Sequence, residues 1–446
     1  MKITQFKDDA LSHFSYALLS EGQMAVIDPS RNPIPYYKYA EEENAKIVAV
    51  LETHPHADFV SSHLQIHKET GATIYISEKV GVSYPHQAFD EGDSIEIGNT
   101  SIKPIFTPGH SPDSLTFHAF LNDENVLFTG DTLFIGDVGR PDLREKAGNT
   151  KAKRKELAQM MYYSIQNKFN ELPDDTKVYP AHGAGSLCGK NMSDANSSTL
   201  GNERMGNWAF KEQTEDEFIA EILKDQPFIP SYFGFNVDLN RKGAENVQSA
   251  KFRVPLKLNV ENIEDEFLVV DTRNEQLYKK GHLPYSINIM ARSESDKFET
   301  WLGAIIEPEE QFYLVLESID KLEEILERVA KIGYEKQLKG IFTLSEEVSG
   351  SSEKFDIQSF DKNKEDYTIV DIRNTSEVSE GKIFENAYHI PLNDLRNNIG
   401  DLPKDKPMVV HCAGGYRSAA GSSILENEIN EVPVFDLSED VKKYSS

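Results

Sequence analysis

The sequence predicts a multidomain α/β protein, and three observations carry that prediction. At 446 residues the chain is too long for one ordinary core, so about two to four domains are expected. Residues 1–235 alternate short apolar runs with helical patterns. The remainder contains an internal repeat in which each copy reads as strands leading into a helix.

The elements follow in chain order. Apolar runs bounded by turn residues at 24–28, 47–51, 73–76, 102–106, 126–128 and 177–179 read as strands of a mixed sheet. Helical patterns span 153–169 and 216–223, and a polar, Gly-containing stretch at 234–247 reads as a linker or wrapping segment. Phe267-Leu268-Val269-Val270-Asp271-Thr272-Arg273-Asn274 then returns as Tyr367-Thr368-Ile369-Val370-Asp371-Ile372-Arg373-Asn374, with Gly281 and Gly381 at the same offset. A second strand follows in each copy, at 312–316 and 408–411. Aligning these strands sets Glu317 against Cys412 and Leu322 against Arg417, so the first copy lacks the reactive residues of the second.

Composition narrows the function classes. The formal net charge of −27 disfavours nucleic acid and anionic membrane as partners and reads as a solvated acidic surface. No run approaches the roughly eighteen apolar residues of a membrane span, and the first residues lack a basic segment followed by an apolar one, so no secretion signal is expected. Two cysteines, Cys188 and Cys412, are too few for a disulfide framework and suit a reducing cytoplasm.

Four polar motifs each follow an apolar strand: His54-Pro55-His56-Ala57-Asp58, Pro108-Gly109-His110-Ser111, Gly130-Asp131-Thr132 and Pro180-Ala181-His182-Gly183. Strand ends on one sheet edge converge, so these side chains can surround one ion, and His with Asp suits Zn, Fe or Mn. One such His is usually a hydrogen-bonded structural residue; four motifs in this order are a metal site. Their order resembles the metallo-β-lactamase superfamily, whose first motif continues with a His where this chain has Phe59. A dinuclear zinc hydrolase of the glyoxalase II kind needs that His, so the resemblance narrows to the persulfide dioxygenase branch. What it implies is one Fe(II) per chain (zinc possible as purified) held by His54, His110 and Asp131, with His56, Asp58 and His182 orienting ligands or bound water. Two His and one carboxylate leave open positions on iron, as oxygen chemistry requires.

Two further residues carry alternatives. Arg140, in a Gly139-Arg140 segment that also resembles this branch, either meets a substrate carboxylate or makes a structural salt bridge. Cys188, six residues after His182, either contacts substrate or accepts sulfur, or is a buried inert thiol. His63, His67, His86 and His118 lie outside the motifs and read as surface or structural.

The second site is Cys412-Ala413-Gly414-Gly415-Tyr416-Arg417-Ser418, a loop that ends a strand and opens a helix. Its N–H groups, the helix N-terminus and Arg417 favour a thiolate or a persulfide on Cys412. The module resembles a rhodanese domain; four residues between Cys and Arg favour sulfur over the phosphate of related phosphatases. Cys412 and Arg417 are the expected catalytic pair, with Gly414, Gly415, Tyr416 and Ser418 lining the substrate. The family's Gly-His pair is Gly381-Lys382 here but persists as Gly281-His282 in the degenerate copy, and the Gly-rich segment near the family's C-terminal end is absent after Asp436, so the domain reads as shortened.

The whole layout resembles the CstB-like persulfide dioxygenase–rhodanese fusions. It implies an αββα metallo-β-lactamase fold at 1–235, a linker at 236–262, a degenerate rhodanese-like domain at 263–347 and a catalytic one at 355–446. The implied chemistry is oxidation of a low-molecular-weight thiol persulfide by O2 to sulfite plus thiol, then sulfur transfer through Cys412 to sulfite, giving thiosulfate, in sulfide detoxification. A homo-oligomer is expected. Two alternatives stay open: a glyoxalase II-like zinc thioesterase with rhodanese appendages, and a C-terminal half that only carries sulfur or serves as a scaffold.

Overall fold

The computed structural model describes residues 1–143, 154–263, 267–348 and 350–445. They form two compact units, Met1–Ala250 with Ala330–Gly333, and Lys251–Val329 with Tyr334–Ser446.

The first unit is four layers built on two six-stranded mixed sheets. Alternation along each strand sets its two faces. Ala25 and Ile27 of strand Gln23–Ile27 face inward, meeting Phe117, Ala119 and Phe128 of the other sheet in one core. Met24 and Val26 point the other way, under Tyr36, Ala40, Leu64 and Ile66 of the helices Ile34–Glu42 and His63–Thr70. Leu127 and Val178 likewise meet Ala158, Met161, Ile165 and Phe218 of helices Arg154–Asn167 and Glu215–Leu223. Strands Gln23–Ile27 and Glu124–Gly130 are buried on both faces, which explains their apolar runs in the sequence. The two sheets are those of the expected αββα fold: the runs at 24–28, 47–51 and 73–76 belong to one, the other three to its partner. Lys153, the expected first residue of the third helix, lies outside the described residues.

The expected linker is structured. Helices Tyr232–Lys242 and Val247–Lys251 occupy it, and strand Leu256–Val260 joins the following sheet beside Leu338–Leu344. The first helix buries Tyr232, Phe233, Asn236, Val237 and Asn240. Its stripe has helical spacing, but two of the five positions are Asn, which hides the apolar period. Asn240 is there for its amide: Nδ2 donates to the carbonyls of His56 and Phe59, each at 2.8 Å, and Oδ1 accepts the Ser61 N–H at 2.9 Å.

The second unit holds two parallel sheets, one of five strands and one of four. The repeat is structural as well as sequential. In both copies an Arg two residues after the strand's Asp turns back on it, and its Nη2 reaches the matching glycine carbonyl: Arg273 with Asp271 and Gly281, Arg373 with Asp371 and Gly381. Among the described residues, no helix is long and apolar enough to cross a membrane.

Candidate functional site

Sheet register brings the four motifs together. Strands Glu124–Gly130 and Lys177–Pro180 are parallel with Gly130 opposite Pro180, so Asp131 and His182 leave the sheet side by side. His54 follows Lys46–Leu51 in the other sheet, and His110 follows Thr100–Phe106. Asp131 Oδ2 lies 3.8 Å from His54 Nε2 and 3.5 Å from His110 Nε2. Among the described residues Oδ2 has no hydrogen-bond partner although Asp131 is buried, and a buried carboxylate oxygen left so is costly unless a cation meets it. One atom from each of the three residues falls within 4.8 Å of the others. This donor set fits a metal ion.

Each candidate ligand is oriented from behind. Thr53 Oγ1 donates to Asp28 Oδ2 at 2.9 Å and therefore accepts at His54 Nδ1, 3.0 Å away, leaving Nε2 bare. His110 Nδ1 donates to the Arg140 carbonyl at 3.0 Å. His182 Nδ1 donates to Asp131 Oδ1 at 2.8 Å. Glycine is needed at Gly139 for space: a Cβ would lie 1.9 Å from the Asp131 carbonyl oxygen and 3.0 Å from His110 Nδ1.

Charge within this buried cluster is polarised. Burial opposes the His182 imidazolium, but Asp131 and Asp58 outweigh it and hold the ring's pKa well above the usual imidazole range. Burial likewise opposes ionised Asp131, yet His182, His110 and His54 keep its carboxyl well below the usual carboxylate range. His54 is driven down by burial and by its neighbour His56, which suits a ring that must offer a lone pair.

The other expected residues separate into distinct roles. His56 turns away from Asp131, with Nε2 3.2 Å from Asp28 Oδ1 and 3.8 Å from Glu52 Oε2. Phe59 is buried, its ring 4.3 Å from that of His56 and 4.0 Å from that of His13. Asp58 Oδ2 lies 2.7 Å from His182 Nε2, out of hydrogen-bond alignment, and both residues group with Cys188. Burial, Asp58 and Asp131 all push the Cys188 thiol well above its ordinary range. Arg140 requires a correction. Its Nε and Nη2 grip Asp142 at 2.7 Å each, Nη2 also donates to the Pro227 carbonyl and Nη1 to that of Leu187, and the residue is 1% exposed. It makes the structural salt bridge, and no face of it is open to a substrate.

Sequence reasoning missed Asp28, Glu52, Thr53, His13 and Asn240. Asp28 carries the same signal as the chosen motifs, a polar residue closing an apolar strand, and Glu52-Thr53 adjoins the first motif. His13 opens strand His13–Ser20 and bridges to His182, a long-range pairing that leaves no mark in the local pattern.

At the second site Cys412 is buried, and Gly415 N–H donates to its Sγ at 3.1 Å, while Ala413 and Gly414 are exposed. Gly415 has φ +100°, and a Cβ there would sit 2.8 Å from Glu439 N, so only glycine closes the turn. Helix Tyr416–Glu428 starts at once, directing its N-terminus toward the sulfur. Arg417 Nη1 and Nη2 donate to Glu377 at 2.6 and 2.7 Å, and its charge also faces Cys412. Two expected substrate-lining groups have other partners: the Ser418 hydroxyl donates to the Gly415 carbonyl, and that of Tyr416 to the Met290 carbonyl. In the first copy Glu317 is exposed and a short turn, Ile319–Lys321, replaces the loop.

Known proteins match both halves. The metallo-beta-lactamase superfamily model matches residues 8–182, and the rhodanese-like domain model matches 256–339 and 356–446. A probable hydroxyacylglutathione hydrolase of Schizosaccharomyces pombe is 33% identical over 178 residues, 38% of this chain and 63% of that protein. The mitochondrial persulfide dioxygenase ETHE1 of Homo sapiens is 27% identical over 161 residues, 36% of this chain and 59% of that protein. The chain thus spans less than two thirds of the length of these relatives. A crystal structure of a metallo-beta-lactamase from Staphylococcus aureus subsp. aureus COL is 31% identical, with a TM-score of 0.69, covering 77% of this chain and 99% of that one. On that match, with the family models on either side of residue 250, the chain belongs to the metallo-beta-lactamase superfamily and joins such a domain to two rhodanese-like domains.

Proposed function

We propose that the chain oxidises a low-molecular-weight thiol persulfide with O2 at one Fe(II), then passes a second sulfur through Cys412 to the sulfite formed, giving thiosulfate. The observation that carries the first half is the three-ligand set of His54, His110 and Asp131, with His56 turned to Asp28 and Phe59 in place of a further His. Bound Fe(II) would supply open positions at which persulfide sulfur and O2 meet. Persulfide, O2 and water give thiol, sulfite and two protons. His54 and His110 would hold the metal through Nε2, Thr53 and the Arg140 carbonyl fix their rings, and His182 holds a proton beside Asp131 and Asp58. The buried Phe59 and Phe134 rings near His182 keep water from that side.

In the second half the Cys412 sulfur attacks the outer sulfur of another persulfide. The S–S bond breaks, the thiol leaves, and sulfite later removes the sulfur and restores Cys412. Linking the sites in one chain raises the effective concentration of sulfite at the second. Two free, buried cysteines suit a reducing cytoplasm.

A second reading, a zinc thioesterase, is favoured by the Asp58–His182–Cys188 group, which can hold another ion, and by the hydroxyacylglutathione hydrolase relative. Metal analysis of anaerobically purified protein, with an oxygen electrode, separates the two. Iron with O2 uptake on adding thiol persulfide is expected. Zinc, no O2 uptake and cleavage of an S-acyl thiol would replace this reading with the second.

A further inference from the structure

Tyr416 and Arg417, at the end of the Cys412 loop, both reach out of their own module. The Tyr416 hydroxyl donates to the Met290 carbonyl at 2.9 Å. The Arg417 guanidinium lies 5.9 Å from the centre of the Trp301 ring, which is itself buried. Met290 and Trp301 belong to the copy in which Glu317 stands at the Cys position. Further along helix Tyr416–Glu428, Ser423 Oγ accepts the Asn288 N–H at 3.0 Å and Asn427 donates to the Ser286 carbonyl at 2.9 Å.

The segment bearing Met290 and Trp301 is firmly braced. Arg328, on helix Leu322–Lys331, grips Glu299 through Nε and Nη2 at 2.8 and 2.7 Å and also donates to the carbonyls of Ser293 and Asp296. Arg292 pairs with Asp296 in the same turn. Arg328 and Glu299 are both buried, an arrangement that gives little net stability and much fixed geometry. The Arg328 helix is the counterpart of the one that follows Cys412. The copy without a nucleophile has kept that helix, and the helix braces the wall on which Tyr416 and Arg417 rest.

We propose that Trp301 and the Met290 carbonyl are positioning groups for Arg417 and Tyr416 in sulfur transfer. Through them the Gly415 N–H and the Arg417 charge are held toward the Cys412 sulfur. The inference rests on Cys412 being a sulfur carrier. When an acceptor takes the outer sulfur of a Cys412 persulfide, the S–S bond breaks and its electron pair stays on Sγ. Donors fixed at Sγ stabilise that developing anion, so a loosened wall slows discharge more than it weakens acceptor binding.

The test uses the full chain with thiosulfate as donor and cyanide as acceptor. Trp301→Ala is expected to lower kcat about tenfold with KM for cyanide within about twofold, Trp301→Phe to recover at least about half the rate, and Tyr416→Phe, which removes one hydroxyl, to lower kcat about three- to tenfold. If Trp301→Ala and Tyr416→Phe stay within about twofold of the parent while Cys412→Ser is inactive, the inference is wrong and the carrier role stands. Equal losses in Trp301→Phe and Trp301→Ala, with a lowered melting temperature, would assign Trp301 to packing and also overturn it. Activity surviving in Cys412→Ser would instead remove the carrier role itself.

Discussion

Thr53 shows how much one side chain settles at the metal centre. Its hydroxyl has one proton, directed to Asp28, so its lone pair fixes the proton on His54 Nδ1 and frees Nε2. Thr53→Val should weaken metal retention about 10- to 100-fold in a chelator titration, with the fold intact by circular dichroism. Arg140 makes a contrasting case. Arg140→Ala strands buried Asp142, so a loss of about 3–5 kcal/mol in unfolding free energy is expected, rather than the isolated rise in KM that a substrate contact would give. His182 supplies a pH signature in metal-free protein. Its pKa is raised above the ordinary 6.5, so its contribution to stability is complete below pH 6.5 and is lost as pH climbs through the folded-state value. His182→Gln should therefore lower the melting temperature more at pH 6 than at pH 10; an equal drop at both would remove the ion pair from the account.

At the scale of elements, the strand-to-helix turn at Gly415 decides whether the second module can act. Gly415→Ala would force a Cβ against Glu439 N at a left-handed φ, costing about 1–3 kcal/mol and displacing the N–H from Cys412. A lowered unfolding midpoint together with loss of thiosulfate:cyanide activity is the expected result. The elements were unevenly legible in the sequence. Strands buried on both faces, such as Gln23–Ile27 and Glu124–Gly130, announce themselves as apolar runs, and half-buried ones such as Thr100–Phe106 keep enough of the run to be legible. Strand Lys2–Asp8 is half-exposed and polar, and the helix Tyr232–Lys242 hides its stripe behind Asn236 and Asn240, so neither shows a clear period in the sequence. An Asn whose amide secures a neighbouring loop looks, in sequence, like any linker residue.

For the whole molecule, the proposed sequence of reactions predicts a change of product. Cys412→Ser should leave persulfide-dependent O2 uptake within about twofold of the parent while sulfite accumulates in place of thiosulfate, measured by ion chromatography. Loss of O2 uptake in that variant would contradict two separate chemistries in one chain. The sequence by itself determined the α/β class, the repeat, the four metal motifs and the one surviving thiol loop, because each is written in local period or in residue type. Only the tertiary structure decided that His56 faces Asp28, that Arg140 is closed off by Asp142, and that Met290 and Trp301 reach the Cys412 loop. Those outcomes depend on which side chains meet across sheets and between repeats, and burial makes each partner's choice depend on every other polar group sealed in with it.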